Sequence, residues 1–225
     1  MQHSNDLQIT ACWKKNVRAW IEAIRRSEIE SRVLATNQAI LDTVTSRAPK
    51  SVLDAGCGEG WLVRELCNSG IDALGIDAVA EFIEYARQAN VGRFKMLSYE
   101  DASPRALNEQ FDAVVCNFSL LGDAAVQHLV RQIPSLLNEG GALIVQTPHP
   151  VAVCGELPYE DGWRQGSWQG FSHRFTDPAP WFFRTLESWQ RLFAESGLKL
   201  LETREPLNPK SGLPASVIFI AARMA

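Results

Sequence analysis

The stretch Val52–Gly60, VLDAGCGEG, constrains this chain more than any other. Apolar residues lead into Asp54, glycines follow at 56, 58 and 60, and a helical pattern starts near Trp61. That run reads as a short buried strand, a turn whose backbone passes close to something, and a helix. Strand, glycine turn and helix in that order are the layout of a nucleotide-type pocket in an α/β sheet. The spacing narrows the ligand. In a dinucleotide fingerprint the third glycine would stand where this chain has Trp61, and no Gly-Lys-Ser/Thr closes the turn as in a phosphate loop. Asp54 and Glu59 flank the turn, and their charge repels phosphate and suits a cationic ligand. Asp77 ends the next apolar run, where a carboxylate can accept both hydroxyls of a ribose.

The remaining pattern fits that frame. Residues 8–47 read as two helices, with Ile9, Trp13, Val17, Trp20, Ile21 and Ile24 at three- and four-residue steps and Pro49 as the stop. Trp13 and Trp20 are read as packing of this arm on the sheet. Arg32 is read as solvated, with a sharper alternative as partner of a cofactor carboxylate. Strands are expected at 51–54, 72–77, 93–97, 111–118 and 142–147, and helices at 61–69, 79–89 and 123–137. Asp123 is the expected N-cap of the last of these, Pro134 is expected to disturb it, and 138–141 is read as a turn. Alternation of this kind implies parallel βαβ units with helices on both faces. Residues 148–184 break the pattern, with five prolines, four glycines and three tryptophans. No sheet strand or long helix is expected there, and the segment reads as an aromatic cap over the carboxyl edge. A helix at 185–196 and strands at 198–204 and 216–222 complete the chain. One domain, 1–225, is expected, with a helical arm (1–48) and a cap insertion (148–184).

Composition excludes several functions. With a net charge of -4 and a pI of about 5.6, nothing suggests a nucleic-acid surface. No apolar run approaches a membrane span, and the first residues lack the basic and apolar regions of a secretory signal. Five scattered cysteines without a Cys-x-x-Cys argue for reduced thiols in a cytoplasmic protein, and against a zinc site or a disulfide framework; no metal is expected.

At this point VLDAGCGEG and GIDAV (Gly75–Val79) resemble the first two motifs of the class I S-adenosylmethionine-dependent methyltransferases. FDAVVCNFSLL (Phe111–Leu121) and LLNEGGALIVQTPHP (Leu136–Pro150) resemble the family's fourth-strand motif and the turn and strand after it. The resemblance implies a Rossmann-like, seven-stranded, mostly parallel sheet with helices on both faces. It implies S-adenosylmethionine as cofactor and S-adenosylhomocysteine as product. By position, Gly56 and Gly58 would pass beside the methionine portion with Asp54 near its ammonium, and Asp77 would hold the ribose. Ser98 and Tyr99 would meet the adenine. Many family members carry an aspartate near Ser98; Glu100 or Asp101 could replace it. Asn117 and Phe118 would lie along the sulfonium.

A sulfonium methyl is already activated, so the protein must align an acceptor and exclude water. A general base is needed only for an acceptor that loses its proton late. His149, directly after the fifth strand, and His173, in the cap, are the catalytic candidates; His128 is read as non-catalytic. Tyr159, Trp163, Trp168 and Arg174 are the candidate substrate contacts. The Thr147–Pro150 run and the Phe183–Leu186 run resemble small-molecule methyltransferases of the ubiquinone and natural-product type. The Asn-Phe-Ser-Leu after the fourth strand lacks the Asn/Asp-Pro-Pro-Tyr motif of amino-methylating nucleic-acid and protein enzymes. A small-molecule acceptor is therefore expected, methylated at oxygen first, with nitrogen or carbon as alternatives. A non-catalytic cofactor binder or partner subunit is the competing reading.

Overall fold

A computed structural model describes residues 2–224; Met1 and Ala225, the ends of the expected domain, lie outside the described residues. Helix α1 spans Gln2–Arg25, longer than the sequence pattern indicates, and the chain reverses near Ser27, where φ is 54°. A π-helical turn, Arg32–Thr36, runs into α2 (Asn37–Thr45). The alternating part follows as β1 (Ser51–Ala55), α3 (Trp61–Asn68), β2 (Asp72–Asp77), α4 (Ala80–Arg87), β3 (Arg93–Met96), the short α5 (Pro104–Leu107), β4 (Phe111–Asn117), α6 (Ala124–Leu136) and β5 (Leu137–Thr147). The chain closes with α7 (Pro150–Cys154), β6 (Gly162–Arg164), β7 (Trp181–Phe183), α8 (Leu186–Glu195), β8 (Leu198–Arg204) and β9 (Val217–Arg223).

Seven strands form one sheet in the order β3-β2-β1-β4-β5-β9-β8, and only β9 runs antiparallel to its neighbours. The α/β architecture expected from sequence is thus present. The chain steps outward from β1 to β3, then returns to pair β4 on the other side of β1. That reversal leaves a crevice at the carboxyl ends of β1 and β4, where ligands bind in open α/β sheets. Strands buried on both sides explain the continuous apolar runs: one face packs on α6 and α8 through Leu129, Ile133 and Phe193, the other on α2 and α3 through Ile40, Val44 and Leu66. Among the described residues, no helix is long and apolar enough to cross a membrane.

Three local expectations change. The 138–141 turn is drawn into β5 as a register break: Phe111 faces Leu137, and Ala113 already faces Ala142. Asp112 holds that break in place. Its carboxylate accepts from Asn138 Nδ2 at 2.8 Å and from the backbone of Lys50 at 2.8 Å and Ser51 at 3.2 Å. Asp123 does not cap α6; its side chain accepts from Arg184 and Gln127 instead. Pro134 sits in the last turn of α6, which runs on to Leu136. Finally, the cap does contain strands: β6 and β7 pair as a small antiparallel sheet of their own, with Trp163 opposite Phe182. Three residues per strand is too short to show a period in sequence.

Candidate active site

The glycine turn is built by steric exclusion. Gly56, Gly58 and Gly60 all have left-handed backbone, with φ of 79°, 53° and 86°. A Cβ on Gly56 would collide with Ser119 and with the Tyr99 hydroxyl, and one on Gly60 with the Phe94 ring. Gly56 N and Cys57 N donate to Ile76 O at 2.8 and 3.0 Å, which ties the turn to β2. Asp77 then joins turn and helix: Gly58 N donates to one carboxylate oxygen and Val79 N to the other, both at 2.9 Å. Phe118, immediately after β4, holds φ at 54°, a conformation that costs a bulky residue about 1–3 kcal/mol and clusters at functional sites.

Over this turn lies a cavity of about 460 Å³. All eight residues placed at the cofactor by sequence line it: Asp54, Gly56, Gly58, Asp77, Ser98, Tyr99, Asn117 and Phe118. Asn117 Oδ1 is buried without a hydrogen-bond partner, an acceptor awaiting a donor. Tyr99 differs from expectation in detail. Its hydroxyl donates to Ser119 O at 3.1 Å and reaches beneath Gly56, so its ring supports the turn. Ser98 Oγ is turned to Asp101 at 2.9 Å, whereas Glu100 stays exposed on the cavity rim.

The electrostatics are acidic with one cation. Asp54 is 2% exposed, and burial, reinforced by Asp77, pushes its carboxyl up to about 7, with Arg32 opposing. Burial also raises Asp77, against the backbone donors of Val79 and Gly58. Burial lowers the Arg32 guanidinium to about 10, with Glu59 and Asp54 opposing. Arg32 stacks between the Trp20 and Trp61 rings, 5.6 and 5.1 Å from their centroids. Arg32 is therefore not a freely solvated arginine: it lines the cavity between two rings. Sequence reasoning also missed Trp13 and Trp20 as cavity walls, together with Asp6, Leu7, Ile9 and Thr10 of α1, and Ser119 beyond β4. Only the helical period of α1 was visible beforehand, and periodicity cannot say which ligand a face covers.

The structure does not bring the candidate bases or substrate contacts to this cavity. His149 is buried beneath the cap, its Nε2 3.1 Å from Glu205, and it precedes the first residue of α7. His173 is exposed. The Tyr159 hydroxyl accepts from Leu186 N at 2.9 Å, at the start of α8. Trp163 packs edge-on against Phe182. Trp168 packs on Trp13, 5.8 Å between centroids, and Arg174 pairs with Glu22 and Glu28 of the arm. Asn16 and Thr176 exchange two hydrogen bonds of 2.9 Å. The cap therefore grips α1, and α1 covers the cavity. A second space of about 110 Å³, lined by Leu121, Pro150, Phe182 and Arg184 among others, shares no lining residue with the first.

The family described as "Methyltransferase domain" matches residues 24–203. The chain belongs to that family. Among curated relatives of this chain are a malonyl-[acyl-carrier protein] O-methyltransferase of Enterobacter lignolyticus, 28% identical over 48% of this chain and 43% of that protein, and a ubiquinone biosynthesis O-methyltransferase of Ralstonia nicotianae, 29% identical over 50% of each. The chain thus spans about half the length of these curated relatives. Among solved structures, the DhpI–S-adenosylhomocysteine complex aligns over 100% of this chain and 99% of its own, with a TM-score of 0.66 at 15% identity. A methyltransferase from Clostridium acetobutylicum aligns over 91% of this chain and 96% of its own, with a TM-score of 0.66 at 14% identity. Likeness at that identity speaks to the fold.

Proposed function

We propose that the cavity binds S-adenosylmethionine and that the chain transfers its methyl group to a small-molecule acceptor, releasing S-adenosylhomocysteine. The observation that carries this reading is that Asp77, at the end of β2, and Arg32, the one cation among the described lining residues, share an otherwise acidic cavity. Asp77 keeps acceptor capacity for ribose hydroxyls beyond its two backbone donors. Arg32 suits the amino-acid carboxylate, while Asp54 and the unpaired Asn117 Oδ1 suit the ammonium. Glu100, on the rim beside Ser98, is the acceptor for the adenine amino group.

The sulfonium would then face Phe118 and the first turns of α1. That end is walled by Leu7, Ile9, Thr10 and Trp13, which favours a compact acceptor with little charge. In-line attack there needs alignment and dryness more than a base. Oxygen is the favoured acceptor atom, with nitrogen or carbon as alternatives. The acidic chain argues against a nucleic-acid acceptor. Five unpaired cysteines suit a reducing, cytoplasmic setting. We treat residues 1–225 as one domain.

Transfer of labelled methyl from S-adenosylmethionine across a panel of phenols, carboxylates and amines tests this. Label on a hydroxyl acceptor is the expected result. Cofactor binding without transfer to any acceptor would favour the binder reading, and no binding of either cofactor form would sink both.

A further inference from the structure

We propose that Asp6 is a positioning residue that latches the first turns of α1 over the cavity, so that its release sets how fast a ligand leaves. The ligand's identity rests on the cofactor reading above; the latch itself does not. The two halves of α1 are held differently. From its middle onward it is gripped by the cap, through Trp13 with Trp168 and Asn16 with Thr176. Its first turns wall the cavity, and among the described residues their polar attachment to the body is Asp6.

That attachment has an unusual form. Asp6 is 8% exposed, and its two carboxylate oxygens accept from Asp123 N at 2.9 Å and Ala125 N at 3.2 Å. The start of α6 is therefore capped by a residue from the far end of the chain. The local candidate, Asp123, is turned away to Arg184 Nη2 at 2.9 Å and Gln127 Nε2 at 2.8 Å. Arg184 also donates to Gly122 O at 2.8 Å and Asp123 O at 3.2 Å. One turn, 122–125, is thus held from one side by the arm and from the other by the residue that follows β7 of the cap. Gly122 completes the fit: a Cβ there would run into the Asp6 carboxylate. Any side chain at position 122 would have to displace that carboxylate. Ala125, one of the two donors, itself lines the cavity.

The test is the dissociation rate of S-adenosylhomocysteine from the full chain, read by tryptophan fluorescence, because Trp13 and Trp20 line the cavity. Asp6→Ala removes the acceptor, and Gly122→Ala displaces it by bulk. Each should speed release by about five- to tenfold, the scale of a lost helix cap. The double variant should be no faster than the quicker single, because both open one contact. Asp6→Asn, which keeps one acceptor oxygen, should fall between. Gln127→Ala loosens the same helix end without touching Asp6; it should lower the melting temperature and leave the rate unchanged. Equal rates in wild type and Asp6→Ala, or additive acceleration in the double variant, overturn the latch. If the wild type binds no S-adenosylhomocysteine, the cofactor reading fails alone. Hydrogen exchange of residues 5–12 in ligand-free protein then decides: faster exchange in both single variants supports the latch, and unchanged exchange refutes it.

Discussion

The cavity under β1, β2 and β4 and the cap at 148–184 are made by opposite means. The cavity is assembled from strand ends and the turns directly after them, so its parts are adjacent in sequence to the motifs that mark them. Asp54 precedes Gly56 by two residues, and Asp77 reaches back to Gly58 across one parallel pairing. The cap is fixed by partners far away in the chain: Thr176 on Asn16, Trp168 on Trp13, Arg174 on Glu22 and Glu28. One region carries chemistry on a rigid sheet edge. The other acts at one remove, by holding the helix that covers it. Aromatic content in a loop after β5 suggested direct substrate contact, and the geometry gives Trp168 to the arm, Trp163 to the cap's own small sheet and Tyr159 to the start of α8.

The contrast is sharpest under mutation. Asp77→Ala should have the largest effect, because it removes a carboxylate shared by the turn, the start of α4 and the ribose. If Asp77 holds the ribose as proposed, calorimetry should show S-adenosylmethionine affinity down about a hundredfold or more, at about 1.5–3 kcal/mol per charged hydrogen bond. Asp54→Asn comes next, and on stability. The folded carboxyl sits at about 7 and the unfolded one at about 3.9, so at about pH 3 and below both forms are protonated and no penalty exists. As pH rises from 4 to 7 the unfolded chain releases the proton first, and ligand-free wild type loses stability. The variant should be more stable by about 4 kcal/mol at pH 8 and equal near pH 3, measured by urea unfolding. A constant offset across that range would contradict a buried, proton-holding Asp54.

Effects in the cap should be smaller and of another kind. Trp168→Ala should cost about 2 kcal/mol of stability through lost packing on Trp13 and Phe175. Its methyl-transfer rate with bound cofactor should stay within about twofold of wild type once the protein is folded. His149→Ala and His173→Ala should change kcat least of all and leave its pH profile in place. A lost titration in either profile would return the cap to direct catalysis and break the contrast.

What could be read from sequence follows the same division. The sheet, its order of elements and the eight residues that line the cavity were legible because strand-end turns encode them locally: glycines where φ is positive, an acid two residues before, an acid one strand later. The arm was legible as helix but not as a wall. Nothing in the run around Arg32 announces a π-helical turn that aims a cation between Trp20 and Trp61. Asp6 gave no signal, since the helix it caps begins more than a hundred residues later. Asp123 looked like the cap because the rule for caps is local, and the local donor was outcompeted by a buried arginine. The histidines drew notice for their chemistry and position after β5, and burial against Glu205 or exposure to solvent removed them from the cavity.

A crystal structure with S-adenosylhomocysteine tests the central claim most directly. The account predicts the ribose hydroxyls on Asp77, the amino-acid carboxylate at Arg32, α1 closed over the ligand with Asp6 on the turn at 122–125, and no contact from residues 148–184. A ligand seated against the cap, or one that leaves Asp77 and Arg32 untouched, would contradict it.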